Sequence, residues 1–449
     1  MSDSTVGDVT PPEGEHRGHS RDEFLKRGAF AVAAVAGGSS FFGASSKAAA
    51  GIRARNKRAA VSGEISVRYW GAGIERTAWD NRIKYFNSKY PNVKVKSQLL
   101  TKNGYDEFPA LLTQIAAGNA PDVIRVLNFQ PTQLVTQGDV LLPLDDFIKA
   151  ESAFWSDFTP TAKSGAKVGG STYCIPQNGE PYVLYYNANA FAKAGLTLPP
   201  ALIKQGKWNQ NTFRSAAKKL VQTGGVAYGA AFETWNYDVF IFMGGGKVLN
   251  PARQPVIDKG TSPKTLQFLA DMIKENSSPS PEVASGSYVN FFQTQQLGMY
   301  ISGSWWGKYM PPVIKDSFKW GAVRMPSFWG SIGSKYELDS LSIAKDSKNP
   351  EAAWAFVKTV TDRTGQSLWT LAATPTRISV LNSPTFRKDK VVPAVVEMIK
   401  YSSFTPFTKV GQAVDTASIT SLAPMWLGQK TAAEATKNAA AALQKAIKA

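Results

Sequence analysis

The 449-residue chain is 43% hydrophobic and 11% aromatic, enough apolar surface for two or three domain-sized cores. Its 51 Lys and Arg against 34 Asp and Glu give a formal charge of +17, but the basic residues are scattered along helical stretches, as with Lys204, Lys207, Arg214, Lys218 and Lys219. That is the pattern of a solvated surface and argues against nucleic-acid binding. A single cysteine, Cys174, excludes an internal disulfide and a multi-cysteine metal site; beside an apolar run it reads as a small buried hydrophobe.

Residues 1–50 have the layout of an export signal: a polar lead, Lys26 and Arg27, a mildly apolar run over residues 28–44, and small residues for cleavage at Ala48, Ala49 and Ala50. The apolar run is too short and too rich in Gly and Ser to span a bilayer, so no membrane-spanning segment is expected. Residues 20–26 are similar to the twin-arginine export motif, with Asp22 where the second arginine belongs. No cysteine follows that could carry a lipid anchor, and the expectation is a soluble periplasmic or secreted protein. The two histidines, His16 and His19, fall in this leader, and residues 51–62 read as a basic linker.

Beyond the linker, strands and helices alternate. Residues 64–70 read as a strand, with Ile65, Val67 and Tyr69 on one face. Trp79, Ile83, Phe86 and Tyr90 mark a helix over residues 77–90 that Pro91 stops. A strand at residues 93–95, a helix around Phe108, Leu111, Leu112 and Ile115, and the apolar strand 123–127 complete a β-α-β-α-β order. This predicts a mostly parallel sheet covered on both faces. The alternation returns with strands at 182–186, 298–301, 320–325 and 338–344 and helices at 211–223, 263–276, 349–361 and 431–449, a second α/β lobe with no internal repeat.

Signatures of catalysis or cofactor binding are incomplete. Gly71-Ala72-Gly73-Ile74-Glu75-Arg76 follows a strand and opens a helix, but Arg76 stands at the third glycine of a dinucleotide fingerprint. Gly244-Gly245-Gly246-Lys247 lacks the remaining residues of a phosphate loop and reads as a close approach of backbone to a partner strand. Without histidine beyond the leader, a Ser-His or Cys-His pair cannot form, and no cofactor or metal is expected. Two carboxylates across a cleft would suffice for a glycosidase, and Glu75, Glu180, Glu233, Glu337 and Asp339 are candidates for that alternative.

The most telling segment is residues 173–196. Polar Gln177, Asn178 and Glu180 precede a strand, an Asn turn and a helix that closes at Gly195, before Pro199 and Pro200. This order resembles the hinge-crossing segment of the extracellular solute-binding proteins of ABC importers, the family of maltose-binding protein. Further similar blocks follow in order over residues 74–95, 115–124, 138–145, 297–306 and 347–356, and at the turn Pro375-Thr376-Arg377. The resemblance covers about residues 63–430.

It implies two α/β lobes, the class II type of periplasmic-binding-protein fold, with a ligand cleft between lobes joined by crossing segments near residues 177–182, 323–328 and 361–374. Lobe 1 is expected over residues 63–178 with 325–370, and lobe 2 over 179–324 with 371–449. The function implied is binding a carbohydrate, best matched by an oligosaccharide, and delivering it as a monomer to ABC permease subunits. Sugar rings have apolar faces edged with hydroxyls, which call for aromatic plates and carboxylates or amides. Candidate ligand residues are therefore Trp70 and Glu75, Asn128 and Gln130, Glu180, Glu233 and Trp235, Trp305 and Trp306, Asp339 and Arg377. If residues 305 and 306 are extended, one of the two indoles should be exposed. Trp354 and Trp369 read as helix packing, and Lys102, Arg125 and Arg377 as surface charges that an acidic sugar or phosphate ester would recruit. Other open readings are the same fold binding a glycerol phosphoester, an acidic sugar or a polyamine.

Overall fold

The computed structural model describes residues 61–448. The predicted export signal, the linker up to residue 60 and both histidines lie outside the described residues. In the first lobe, β1 (Gly63–Trp70) is flanked by β2 (Val93–Leu100) and β3 (Val123–Leu127), both parallel to it. Ile65, Val67 and Tyr69 enter one core with Trp79 and Phe86 of the helix Gly73–Lys89. Ile124 and Val126 face a second layer around Phe108, Leu111 and Leu134, so this part of the sheet is covered on both faces.

A small hairpin of β4 (Lys167–Val168) and β5 (Ser171–Thr172) leads into β6 (Cys174–Asn187). Then come β7 (Tyr228–Phe232), β8 (Leu297–Gly303), β9 (Trp320–Val323), β10 (Ser334–Ile343) and the two-residue β11 (Ser402–Ser403). The main sheet runs β2-β1-β3-β10-β6-β8-β7. From Cys174 to Pro181, β6 pairs antiparallel with β10; from Tyr182 to Asn187 it pairs antiparallel with β8 and β9. One unbroken strand thus passes from the first lobe into the second.

The expectation of a mostly parallel sheet is corrected here. Parallel pairs occupy the two ends, β2-β1-β3 and β8-β7, while the centre is antiparallel. The reason is directional: β6 leaves the first lobe and β10 returns to it, so the two must run against each other.

The second lobe packs Leu184, Phe213, Leu220, Phe240, Met299 and Ile301 into its own core. Its helix Gln210–Thr223 starts at a capping box between Asn209 and Thr212 and buries Phe213, Ala216, Ala217 and Leu220, the spacing of one helical stripe. Burying Phe213 and Leu220 contributes about 1.5–3 kcal/mol each. Gly244 and Gly246 do not face a partner strand, as the sequence suggested. They follow the helix Tyr237–Met243, where a Cβ would strike Thr265 and Ser262 of the helix Ser262–Lys274. Cys174 is fully buried, and Trp354 and Trp369 pack in the first core. Among the described residues no helix is long and apolar enough to cross a membrane.

Candidate ligand-binding site

The first group of candidate residues gathers where β1 and β3 end. β3 is buried along its whole length, so Arg125 at its centre cannot reach water. This corrects its reading as a surface charge. Its guanidinium lies 2.7 Å from Glu75 Oε1, closer still to Asp339 Oδ2, donates to the Trp70 carbonyl at 2.7 Å and stacks 3.8 Å above the Trp70 ring. Burial alone would lower the Arg125 pKa, but Asp339 and Glu75 outweigh it and raise it. Burial raises both carboxyls, and Arg125 offsets part of that rise. Trp70, Glu75 and Asp339 are thus brought together in one buried charged knot.

A second group sits on the crossing strands. A Cβ on Gly179 would run into the Tyr336 hydroxyl, so only glycine lets β6 and β10 close here. Next to it, Glu180 accepts from the Thr374 N–H at 2.7 Å and from the Ser304 hydroxyl, which joins β6, the end of β8 and the residue before Pro375. Two residues earlier on the same face of β8, Ser302 donates to Glu233 at 2.9 Å, and Tyr300 and Asn236 also donate to Glu233. Burial pushes both carboxyls up to about 7 against the pull of these donors. Trp235 and Trp305 stand beside this row, half-buried, Trp235 in a tilted contact with Tyr288 and Trp305 edge-on to Tyr182, both at ring separations of 5.5 Å.

Residues 305 and 306 are not extended. Trp305 has helical backbone angles and Trp306 opens the helix Trp306–Ile314, which turns the second indole into the core at 1% exposure. Neither tryptophan is exposed, which corrects the expectation from alternation. Gln130 holds the loop after β3, accepting from Leu127 N–H and donating to the Gly104 carbonyl, both at 2.9 Å. Arg377 is 3% exposed, sandwiched on Phe154 and Phe158, and bonded to the Thr361 and Phe154 carbonyls and to Asp157. It too is no surface charge, because the Phe154 and Phe158 rings and the Thr361 and Phe154 carbonyls enclose it.

A small cavity lies between the lobes, where a ligand cleft was expected, but most of its wall residues were not anticipated. Tyr105, Asn128 and Phe129 line it from the first lobe, Lys335 and Tyr336 from β10, and Asp238 and Asp415 from the second, with residues 404–408 closing one side. Among the described residues, Asn128 is the one predicted position on its wall. Asn128 has a left-handed backbone (φ 36°), and its amide donates to Tyr105 Oη at 2.7 Å and to Glu337 Oε1 at 2.8 Å. Burial would lower the Lys335 pKa, but Asp238 at 3.5 Å and Glu337 at 3.2 Å drive it above its ordinary range. The cavity measures about 40 Å³, room for a few waters and too little for a sugar ring. A ring-sized guest enters only if walls from the two lobes part. The signal missed in the sequence is the stretch Phe404-Thr405-Pro406-Phe407-Thr408, which has no periodicity but carries aromatic and hydroxyl groups together.

Comparison with known proteins agrees with this architecture. The family model of bacterial extracellular solute-binding proteins matches residues 71–367, about two thirds of the chain. A binding protein of Brucella abortus, so named without a ligand, is 26% identical over 257 residues, 54% of this chain, and the chain spans 59% of that relative's length. The arabinooligosaccharide-binding protein of Bacillus subtilis is 23% identical over 67% of this chain and 70% of its own. In structure, the GacH receptor of Streptomyces glaucescens, solved unliganded and with acarbose, superposes with a TM-score of 0.77 at 21% identity, over 86% of this chain and 99% of its own. A two-lobed α/β fold, strands that cross between lobes and a family model over most of the described chain lead to one conclusion: the protein belongs to the bacterial extracellular solute-binding protein family.

Proposed function

We propose that the protein binds a carbohydrate, an oligosaccharide, between its lobes and delivers it unaltered to the permease subunits of an ABC importer, working as an exported monomer in the periplasm or outside the cell. The observation that carries this reading is the inter-lobe cavity, whose walls of aromatic rings, carboxylates and the Asn128 amide come from both lobes and meet at the crossing strand β10. Support also comes from the ligands of similar proteins, an arabinooligosaccharide and acarbose.

In this reading the lobes are residues 63–178 with 325–370 and 179–324 with 371–449. Half-buried Trp235 and Trp305 stack on sugar faces, and Asn128, Glu180 and Glu233 bond hydroxyls. Trp70, Glu75, Gln130, Trp306, Asp339 and Arg377 set the shape of the walls that hold them. A guest touching both walls favours the closed arrangement by the difference in its affinity for the two states. Neutral guests are favoured over phosphoesters because the buried cations Arg125, Arg377 and Lys335 are each already paired with carboxylates.

A thermal-shift screen over neutral and acidic glycans tests the reading, since a ligand in excess raises the melting point by mass action. The binder, isotopically labelled, should be recovered intact after incubation. A flat screen sinks the carbohydrate reading, and cleaved product sinks the binding-only role.

A further inference from the structure

We propose that the guest of the inter-lobe cavity carries a protonated amine: an amino sugar or amino-oligosaccharide held among Asp415, Asp238 and the Thr408 hydroxyl. This rests on the carbohydrate reading and narrows it.

Lys335 is the cation on the cavity wall, and its single charge is already divided between Asp238 and Glu337. Asp415, on the same wall, accepts from the Tyr237 hydroxyl at 3.1 Å and pairs with no cation among the described residues. Three carboxyl groups thus share one ammonium, and Asp415 is left without a cation of its own. The chain's formal charge of +17 does not account for so carboxyl-rich a corner.

A second, separate observation points to a guest. Thr408 is 4% exposed, lines the cavity, and its hydroxyl has no hydrogen-bond partner among the described residues; the Thr405 hydroxyl beside it is in the same condition. A buried hydroxyl left unpaired carries its desolvation cost unrepaid, so it marks a place where a polar group is expected. An ammonium has three donors and no acceptor, which suits carboxylates and a hydroxyl oxygen at once. Phe404 and Phe407, in contact at 5.4 Å, add π faces for the sugar ring and for the cation. Burial pushes Asp415 up to about 7, with Lys335 pulling it back and Asp238 adding to the rise. A cation beside it restores the ionised form, which a sugar hydroxyl in the same place does not do.

Isothermal titration of the full chain against matched sugars tests this: β-1,4-linked trimers of glucose, glucosamine and N-acetylglucosamine, with mannose and galactose against mannosamine and galactosamine. The amine member of a set should bind at least about tenfold tighter than its hydroxyl and N-acetyl counterparts, a gap of about 1.4 kcal/mol. Asp415→Asn, checked for folding by circular dichroism, should collapse the amine-to-neutral ratio toward one. Neutral members binding as tightly as amines overturn the amine assignment and leave the carbohydrate reading standing. Silence across every set overturns the carbohydrate reading and this inference with it.

Discussion

Replacing Arg125 with methionine should be among the most damaging single changes in the first lobe, and the loss should depend on pH. The side chain is 3% exposed and faces Glu75 and Asp339, each 6% exposed. Removing one member of a buried ion pair typically costs about 3–5 kcal/mol because a charge is left without a partner; here two carboxylates are left. Both already have pKa values raised by burial, and losing Arg125 raises them further. A raised folded-state pKa carries no penalty below about pH 4, where folded and unfolded chains are both protonated. The penalty grows as pH climbs toward the folded-state value and then levels off. Urea unfolding followed by tryptophan fluorescence should therefore show the largest deficit against wild type near pH 8 and a smaller one near pH 5. Adding Glu75→Gln and Asp339→Asn to the same variant should recover part of the pH 8 loss. A deficit under about 1 kcal/mol at pH 8, or one that does not shrink in acid, would refute the account of the knot.

Trp235→Ala or Trp305→Ala should weaken binding of the sugar found in the screen by about 1–3 kcal/mol, roughly 5- to 150-fold, with little change in melting; unchanged titration curves take these indoles out of the cleft. Glu233, raised to about 7 by burial, makes the wild type lose stability as pH rises from its unfolded value through 7, because the folded state resists ionisation. Glu233→Gln should gain on wild type between pH 5 and pH 8 in urea midpoint, and an equal offset at both values counts against the buried carboxyl. Cys174, buried and with its thiol pushed up to about 12, should not react with a disulfide reagent until urea unfolds the chain; fast labelling of the native protein contradicts its burial.

The elements were legible where local chemistry decides them. β3 has the predicted limits because an apolar run between Asp122 and the turn at Asn128 leaves little choice. β6 was read at barely a third of its length, since Cys174 to Pro181 is polar and proline-containing and is held as strand by β10, far away in sequence. Arg125 carried a readable signal that was passed over: a charge inside Val123-Ile124-Arg125-Val126-Leu127 must be buried with partners, because its neighbours cover both faces. Trp305 and Trp306 were misjudged because strand periodicity was extended past Gly303, where the strand ends, into the helix that Trp306 opens. The cavity wall at residues 404–408 was missed because its grouped aromatic and hydroxyl residues follow no period, and its position depends on how the closing segment packs between lobes.

The placement of β10 sets a timetable for the newborn chain. β3 is made early, yet the strand that covers its outer edge emerges about 200 residues later. At a synthesis rate of about 5–20 residues per second that is a delay on the order of 10–40 s. Throughout it, an apolar strand presents unpaired backbone groups, the feature that invites aggregation. The amino-terminal half is thus an unfinished product until most of the polypeptide exists, and whatever keeps it from sticking in that interval belongs as much to the biology of this fold as the contacts that finally close it.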